Sequence, residues 1–262
     1  MILTSEQILA FHKFIGFGNI TTASIVIFGN EFGTATRSTQ ACISYFMNEF
    51  ETKKRFNIGE GFSLIEMDPP PVSSTFLQFI SRLMLALKHS DDRFFSDLTF
   101  QGKIVLNNYI MNSLYRENSA IINLRPLPQP TEQHWTYSNI NEGEYHSKYN
   151  FALRNHTSDE LKNMRLRILK EAFNLIAKES LVLGSGDKEN KKAFFKIIYP
   201  TIQFHETKLS DLKIYYSNNP RIILSNYFDN RTIGLSGLKQ LYHFILDFNQ
   251  PKKSIATSLQ LF

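Results

Sequence analysis

A single cysteine, Cys42, in 262 residues excludes an intramolecular disulfide, a cysteine-rich zinc site and a cysteine-ligated iron–sulfur cluster. No apolar run approaches the roughly 18–20 residues that cross a bilayer, so no membrane partner is expected. Met1 to Glu6 show no basic region followed by an apolar stretch, and no secretory signal is expected there. A reducing, cytoplasmic setting is the expected compartment. Charged residues at 20% and hydrophobic residues at 42% leave no room for a disordered or collagen-like chain. The histidines, His12, His89, His134, His146, His156, His205 and His243, are scattered without a HExxH pattern or a ligand pair at the usual spacing. No metal is therefore expected. A Gly-x-Ser-x-Gly elbow is also missing, which removes support for a hydrolase triad.

Aromatic side chains are what the chain has in quantity: 23 Phe and 11 Tyr against one Trp. Most must form core, and some are available as stacking surfaces. The net charge is +5, from 29 basic and 24 acidic residues, a mild excess compatible with a polyanionic partner. There is no internal repeat and no Gly/Ser linker, so residues 1–262 read as one domain.

Four short runs, Ser24 to Phe28, Ala120 to Leu124, Ser180 to Leu183 and Arg221 to Leu224, are apolar without polar alternation. That pattern suits strands buried on both faces of a parallel sheet. Helical spacing predicts segments over Ser5–Gly16, Thr75–His89, about Lys103–Arg116, Ser158–Lys178, a basic stretch ending near Ile198, and Leu235–Phe248. No element is predicted over residues 131–157. Strands alternating with helices give an α/β class: a three-layer α/β/α sandwich with a central, mostly parallel four-stranded sheet.

Such sheets bind ligands beyond the carboxyl ends of their strands. The rule selects Asn30 and Glu31 after the first strand, Asn123 and Arg125 after the second, Gly184–Gly186 after the third, and Asn226–Arg231 after the fourth. Glu31 can hold a carboxylate at a desolvated cleft or cap a following helix. Asn123, the polar end of an Ile/Leu strand, can read a base edge or amide, or bond its own loop. Pro126, Pro128 and Pro130 make a rigid loop that can press on a phosphodiester backbone or serve only as a stiff turn. Gly184-Ser185-Gly186 ahead of Lys188, Lys191 and Lys192 can offer amides and charge to a phosphate. The spacing is not that of a Walker loop, and a lysine face on a helix is commonly solvated surface.

Taken together, these strand ends resemble the uracil-DNA glycosylase superfamily. Ile25-Val26-Ile27-Phe28-Gly29-Asn30-Glu31-Phe32-Gly33 looks like its first motif, and Ile121-Ile122-Asn123-Leu124-Arg125-Pro126-Leu127-Pro128 is similar to its strand entering a proline-rich, DNA-pressing loop. Leu181-Val182-Leu183-Gly184-Ser185-Gly186 matches a later strand ending in Gly. Ile222-Ile223-Leu224-Ser225-Asn226-Tyr227-Phe228-Asp229-Asn230-Arg231 resembles the strand and loop that insert into the duplex. The likeness spans about residues 20–248. Phe32 stands where the family usually has Pro, and Asn226, Asp229 and Asn230 occupy the place of its His-Pro-Ser.

The resemblance implies a monomeric, monofunctional DNA glycosylase that cleaves the N-glycosidic bond of a flipped base without a cofactor. Glu31 would stabilise the sugar cation or orient water. Asn30 would bond the base, Phe32 or Tyr45 would stack on it, and Asn123 would read its polar edge. Asn226 or Asn230 would face the departing base. Arg125 and Arg231 would hold phosphates, Ser185 and Lys188 would add backbone contacts, and Tyr227 or Phe228 would wedge the duplex. The base is open, a bulky modified one in foreign DNA included, and so is the choice between repair and host defence. A nucleoside or nucleotide N-glycosidase, or an inactive nucleic-acid-binding protein of the same fold, are the alternatives.

Overall fold

The structure, a computed structural model, describes residues 1–30, 39–52, 56–57, 63–65, 74–116, 118–129, 135–153, 159–210 and 212–249. The four β-branched runs form β2 (Ile25–Gly29), β5 (Ser119–Asn123), β6 (Leu181–Ser185) and β9 (Arg221–Ser225). They stand side by side as β5-β2-β6-β9, and each neighbouring pair is parallel. Every residue of β2, β5 and β6 is buried, as expected where both faces of a parallel sheet are covered.

Alternate residues feed two cores. Ile25, Ile27, Ile121, Leu183 and Ile223 join one cluster with α1 (Ser5–Lys13), α3 (Thr75–His89) and α8 (Gly234–Asn249). Val26, Phe28, Ile122, Val182 and Leu224 join the other, against α6 (Glu160–Leu175) and α7 (Lys188–Ile198). Phe28 shows the second core most clearly: its ring centroid lies 5.0 Å from Phe173, 5.2 Å from Phe194 and 5.4 Å from Phe195.

The sheet is larger than the four strands expected and is mixed. Among the described residues it has nine, in the order β3-β4-β1-β5-β2-β6-β9-β8-β7. The additions are β1 (Phe14–Phe17), β3 (Phe56–Asn57), β4 (Ser63–Ile65), β7 (His205–Leu209) and β8 (Leu212–Asn218). β1 runs antiparallel to β5, and β8 antiparallel to both β9 and β7. The first helix, expected to reach Gly16, stops at Lys13, because Phe14-Ile15-Gly16-Phe17 is fully buried as a strand. Its apolar residues fit either period over so short a stretch. The β7–β8 hairpin escaped the apolar-run criterion because β7 is an edge strand, with His205, Glu206 and Lys208 exposed. A helix expected over Lys103–Arg116 is α4 (Phe100–Asn112), begun by Thr99, whose side chain accepts from Gly102 N. Within the unassigned 131–157 stretch lies α5 (Glu142–Lys148), capped by Asn141. α2 spans Thr39–Thr52. No helix among the described residues is long and apolar enough to cross a membrane.

Two buried polar groups lace these elements together. Arg165 of α6 is fully buried and donates to four main-chain carbonyls: Phe14 at 2.7 Å, His12 at 2.9 Å, Leu124 at 3.3 Å, and Asn123. One guanidinium thereby satisfies carbonyls at the α1–β1 junction and at the end of β5 together. Burial lowers its pKa to about 10, which still leaves it charged at neutral pH. His12, also buried, meets the Ile8 carbonyl through Nδ1 at 2.7 Å and the Tyr149 hydroxyl through Nε2. A carbonyl only accepts, so Nδ1 carries the proton and Nε2 accepts from Tyr149.

Replacing Arg165 by Met should leave those carbonyls without donors and lower stability by about 3 kcal/mol or more, a Tm fall of roughly 6–12 °C for a chain of this size in a melting experiment. A pH effect follows from His12, whose pKa burial lowers from 6.5 to about 4, with Arg165 and Lys148 acting in the same direction. Its neutral form is favoured in the folded state, so this contribution is complete above pH 6.5 and is lost as pH falls through 4. The full amplitude is about 3 kcal/mol. Urea unfolding at stepped pH should show that limb in the parent and a flatter one in His12→Gln.

Candidate functional site

At the carboxyl ends of the parallel strands the apolar rows give way to a polar one. Ile121, Ile27, Leu183 and Ile223 belong to the same core cluster, and two residues further along each strand stand Asn123, Gly29, Ser185 and Ser225. Gly29 is in register with Asn123, and Ser185 with Ser225. Asn123 is 1% exposed, and neither its Oδ1 nor its Nδ2 has a hydrogen-bond partner among the described residues. The Ser225 hydroxyl, equally buried, has none either. Ser185 accepts from Phe228 N at 3.2 Å. Gly29 is what lets the Asn123 amide lie down across the strand pair, since a Cβ there would fall 2.4 Å from Asn123 Oδ1.

Past the strand ends opens a cleft of about 660 Å³, walled by Asn30, Arg125, Gly186, Lys188, Asn226 and Tyr227, with Glu142 and His146 on the α5 side. Asn30 is fixed at both ends. Its carbonyl oxygen accepts from Arg125 N at 2.7 Å, and its side-chain Oδ1 accepts from the ammonium of Lys191. Lys191 is itself fully buried and also donates to Gly186 O at 2.7 Å. Gly186 has φ +72°, and a Cβ on it would lie 3.1 Å from both Asn30 Nδ2 and Tyr227 Cδ2. Asp187 follows, also left-handed at φ 38°, and its carboxylate lies 3.6 Å from the Arg125 guanidinium.

On the opposite wall Lys188 Nζ donates to Asn226 Oδ1 at 2.6 Å and to the Lys213 carbonyl at 2.8 Å. Burial, and then the Lys213 charge, lower its pKa. Tyr227 is half-buried and stacks on Phe76 at 5.3 Å and 17°. His146 Nε2 sits 3.8 Å from Glu142 Oε1 and 3.5 Å from Gln129 Nε2. The lining thus sets the cations Arg125 and Lys188 among the carboxylates of Glu142, Asp187 and Glu189, so it offers both donors and acceptors to a polar ligand. Among the described residues no group of three or more His, Cys, Asp or Glu side chains is placed to hold a metal ion.

Several residues singled out in the sequence meet here: Asn30, Arg125, Lys188, Asn226 and Tyr227 line the cleft, and Asn123 lies in the polar row beside it. Glu31 and Phe32 lie outside the described residues. Tyr45 does not line the cleft; it is half-buried on α2 against the core, 5.6 Å from Phe46 in an edge-on arrangement. Pro126 and Pro128 are buried, Pro128 accepting from the Tyr137 hydroxyl, and so is Ser185. None of these three presents an outer surface. Phe228 is fully buried in the core, which leaves Tyr227 as the half-exposed aromatic of that loop. Asn230 and Arg231 are exposed on a turn that Asp229 closes by accepting from Arg231 N at 3.0 Å and Thr232 N at 2.8 Å.

Two groups have roles the sequence did not show. His146 and Glu142 come from a helix inside the unassigned stretch. Lys191, read together with Lys188 and Lys192 either as charge for a phosphate or as a solvated lysine face, points instead into the protein. The signal for it was periodicity: Asn190, Lys191, Phe194, Phe195 and Ile198 make the buried face of α7.

Gly186→Ala should combine left-handed backbone strain of roughly 1 kcal/mol with crowding of Asn30 and Tyr227. The expected result is a Tm lowered by a few degrees together with a larger loss of ligand binding in the cleft; intact binding would show that the crowding is relieved. Compared with family models, with curated proteins and with solved structures, the chain gives no match.

Proposed function

We propose that the protein is a DNA N-glycosylase that hydrolyses the bond between the sugar and a flipped, modified base, leaving an abasic site. The observation that carries this reading is the Asn123 amide, buried with a donor and an acceptor both unsatisfied among the described residues. Such a group is costly in a folded core, about 1–3 kcal/mol for each lost partner. A planar ligand edge bearing both an N–H and a carbonyl, as nucleobases do, matches both atoms at once.

The surroundings agree with that ligand. A cleft of about 660 Å³ is of the size that holds a nucleotide-scale molecule. Breaking the N-glycosidic bond develops positive charge on the sugar and negative charge on the leaving base. The charges of Lys188 and Arg125 would favour the latter. Glu31, which follows Asn30 in the chain, takes the sugar-side role that the family resemblance gives it. Exposed Asn230 and Arg231 beside the cleft would meet the backbone, and Tyr227, stacked on Phe76 at the cleft wall, would take the wedge role if it left that ring to fill the stack once a base is flipped, a step costing a few kcal/mol.

Duplex and single-stranded DNAs carrying uracil or other modified bases, incubated with the protein and then treated with alkali, should break at the position of at least one of them. Asn123→Ala should reduce the preference between a good and a poor base by about 1–3 kcal/mol while general DNA affinity changes little. An unchanged preference removes Asn123 from base reading. Salt-dependent DNA binding without strand breakage on any substrate overturns the glycosylase and leaves a nucleic-acid-binding protein.

A further inference from the structure

Ser225 closes β9, after the apolar Ile222, Ile223 and Leu224. It is in register with Ser185 of β6. Both serines stand two residues beyond members of one core cluster, Ile223 and Leu183, so their side chains share a face of the sheet. Both are fully buried, but their commitments differ. Ser185 Oγ accepts from Phe228 N at 3.2 Å and so ties down the loop after β9. Ser225 is held through its main chain instead, its carbonyl accepting from Gly186 N at 3.1 Å, and its hydroxyl has no hydrogen-bond partner among the described residues. Ser225 nevertheless lines the cleft, together with Gly186 and Asn226.

A hydroxyl buried without a partner forfeits its hydrogen bonds to water and receives none in return, so an alanine here would cost the fold less. A group that enters the cleft can supply the missing partner, and the hydroxyl can rotate to donate to it or accept from it. Because Ser225 has no exposed surface, a phosphate passing over the outside of the protein does not reach it, whereas a base turned into the cleft can. Asn123 stands in the same row of strand ends, separated from β9 by β2 and β6, which is three strand spacings or about 14 Å between Cα atoms. Its amide leans towards Ser225 across Gly29, where a Cβ would fall 2.4 Å from Asn123 Oδ1. The two unpartnered groups therefore face different edges of a ligand rather than one and the same atom.

We infer that Ser225 is a specificity-determining residue whose hydroxyl contacts a second polar group of the flipped base, on an edge other than the one Asn123 reads. The substrate class this selects is a base that keeps hydrogen-bonding groups on two edges; a base whose second edge is alkylated or bare is disfavoured. The inference rests on the proposed function in calling the entering group a base.

The test couples ligand-free stability to binding. Free uracil, thymine, cytosine, adenine and guanine and their deoxynucleosides are titrated against the parent, together with duplexes carrying a modified base or a tetrahydrofuran abasic site. Without ligand, Ser225→Ala should melt at the parental Tm or above it, because it removes an orphaned hydroxyl; Ser185→Ala, which frees Phe228 N, should melt lower. For a base that the parent binds, Ser225→Ala should weaken Kd by about tenfold or more, while Kd for the abasic-site duplex stays within about twofold. An analogue of that base lacking the exocyclic group that Ser225 meets should bind the parent as weakly as the complete base binds Ser225→Ala, and the variant should add no further loss with that analogue. A lowered Tm in Ser225→Ala overturns the inference, since the hydroxyl then has a structural partner such as a bound water. So does an unchanged Kd for every base, or an equal loss on the abasic-site duplex, which moves the contact to sugar or phosphate. Bases that bind and discriminate in this way without release from any duplex defeat the glycosylase and leave the role of Ser225 standing. A parent that binds none of these ligands overturns both.

Discussion

A guanidinium that gathers four main-chain carbonyls is the fixed point of this fold. Parallel strands that end inside a protein leave carbonyls which neither the ladder nor water can satisfy, and each costs free energy comparable to a lost hydrogen bond. Arg165 answers that demand for Asn123 and Leu124 and simultaneously for His12 and Phe14. It thereby joins the exit of β5 to the corner where α1 turns into β1. The position of Asn123 in the sheet, and with it the direction of its side chain, depends on that junction. A neutral side chain of the same length could fill the space but could not supply donors in several directions at once.

The two asparagines at neighbouring strand ends illustrate how similar residues acquire different capacities. Asn30 is held rigidly, its oxygen against an ammonium and its backbone against Arg125. Asn123 is equally buried but keeps both polar atoms uncommitted among the described residues. One amide has its oxygen committed to an ammonium; the other has neither atom paired among the described residues. Low dielectric surroundings strengthen such contacts and make their absence expensive.

The centre of the fold was legible because β-branched runs such as Ile25-Val26-Ile27 and Ile121-Ile122 are incompatible with any half-exposed element, and because the residues just past them were polar. Thr75–His89 was legible for the opposite reason, a clean helical period bounded by a capping Ser74. Phe14–Phe17 was not, since four apolar residues satisfy both periods. β7 was not, because an edge strand carries charges like a loop. At the site, strand-end geometry located Asn30, Asn123 and Asn226, but it could not rank Lys191 above Lys188 or Lys192. Only the burial of one helix face separates them. Pro126 and Pro128 misled for a related reason: rigidity is visible in a sequence, whereas which side of a rigid loop faces solvent is set by what packs on it, here Tyr137 and Tyr145.

The mixed sheet also has a temporal consequence. β7, β8 and β9 follow one another along the chain as an antiparallel meander, so their pairing closes only short loops. β2 must instead find β5 and β6 across distant segments, with Ile25 meeting Ser119 on one side and Leu181 on the other. Non-local pairing is slow because loop entropy is lost before contacts compensate it. The meander is thus the part able to form early, while the strand ends that carry Asn30 and Asn123 come together late. When the full chain refolds, the polar row would be among the last features to exist.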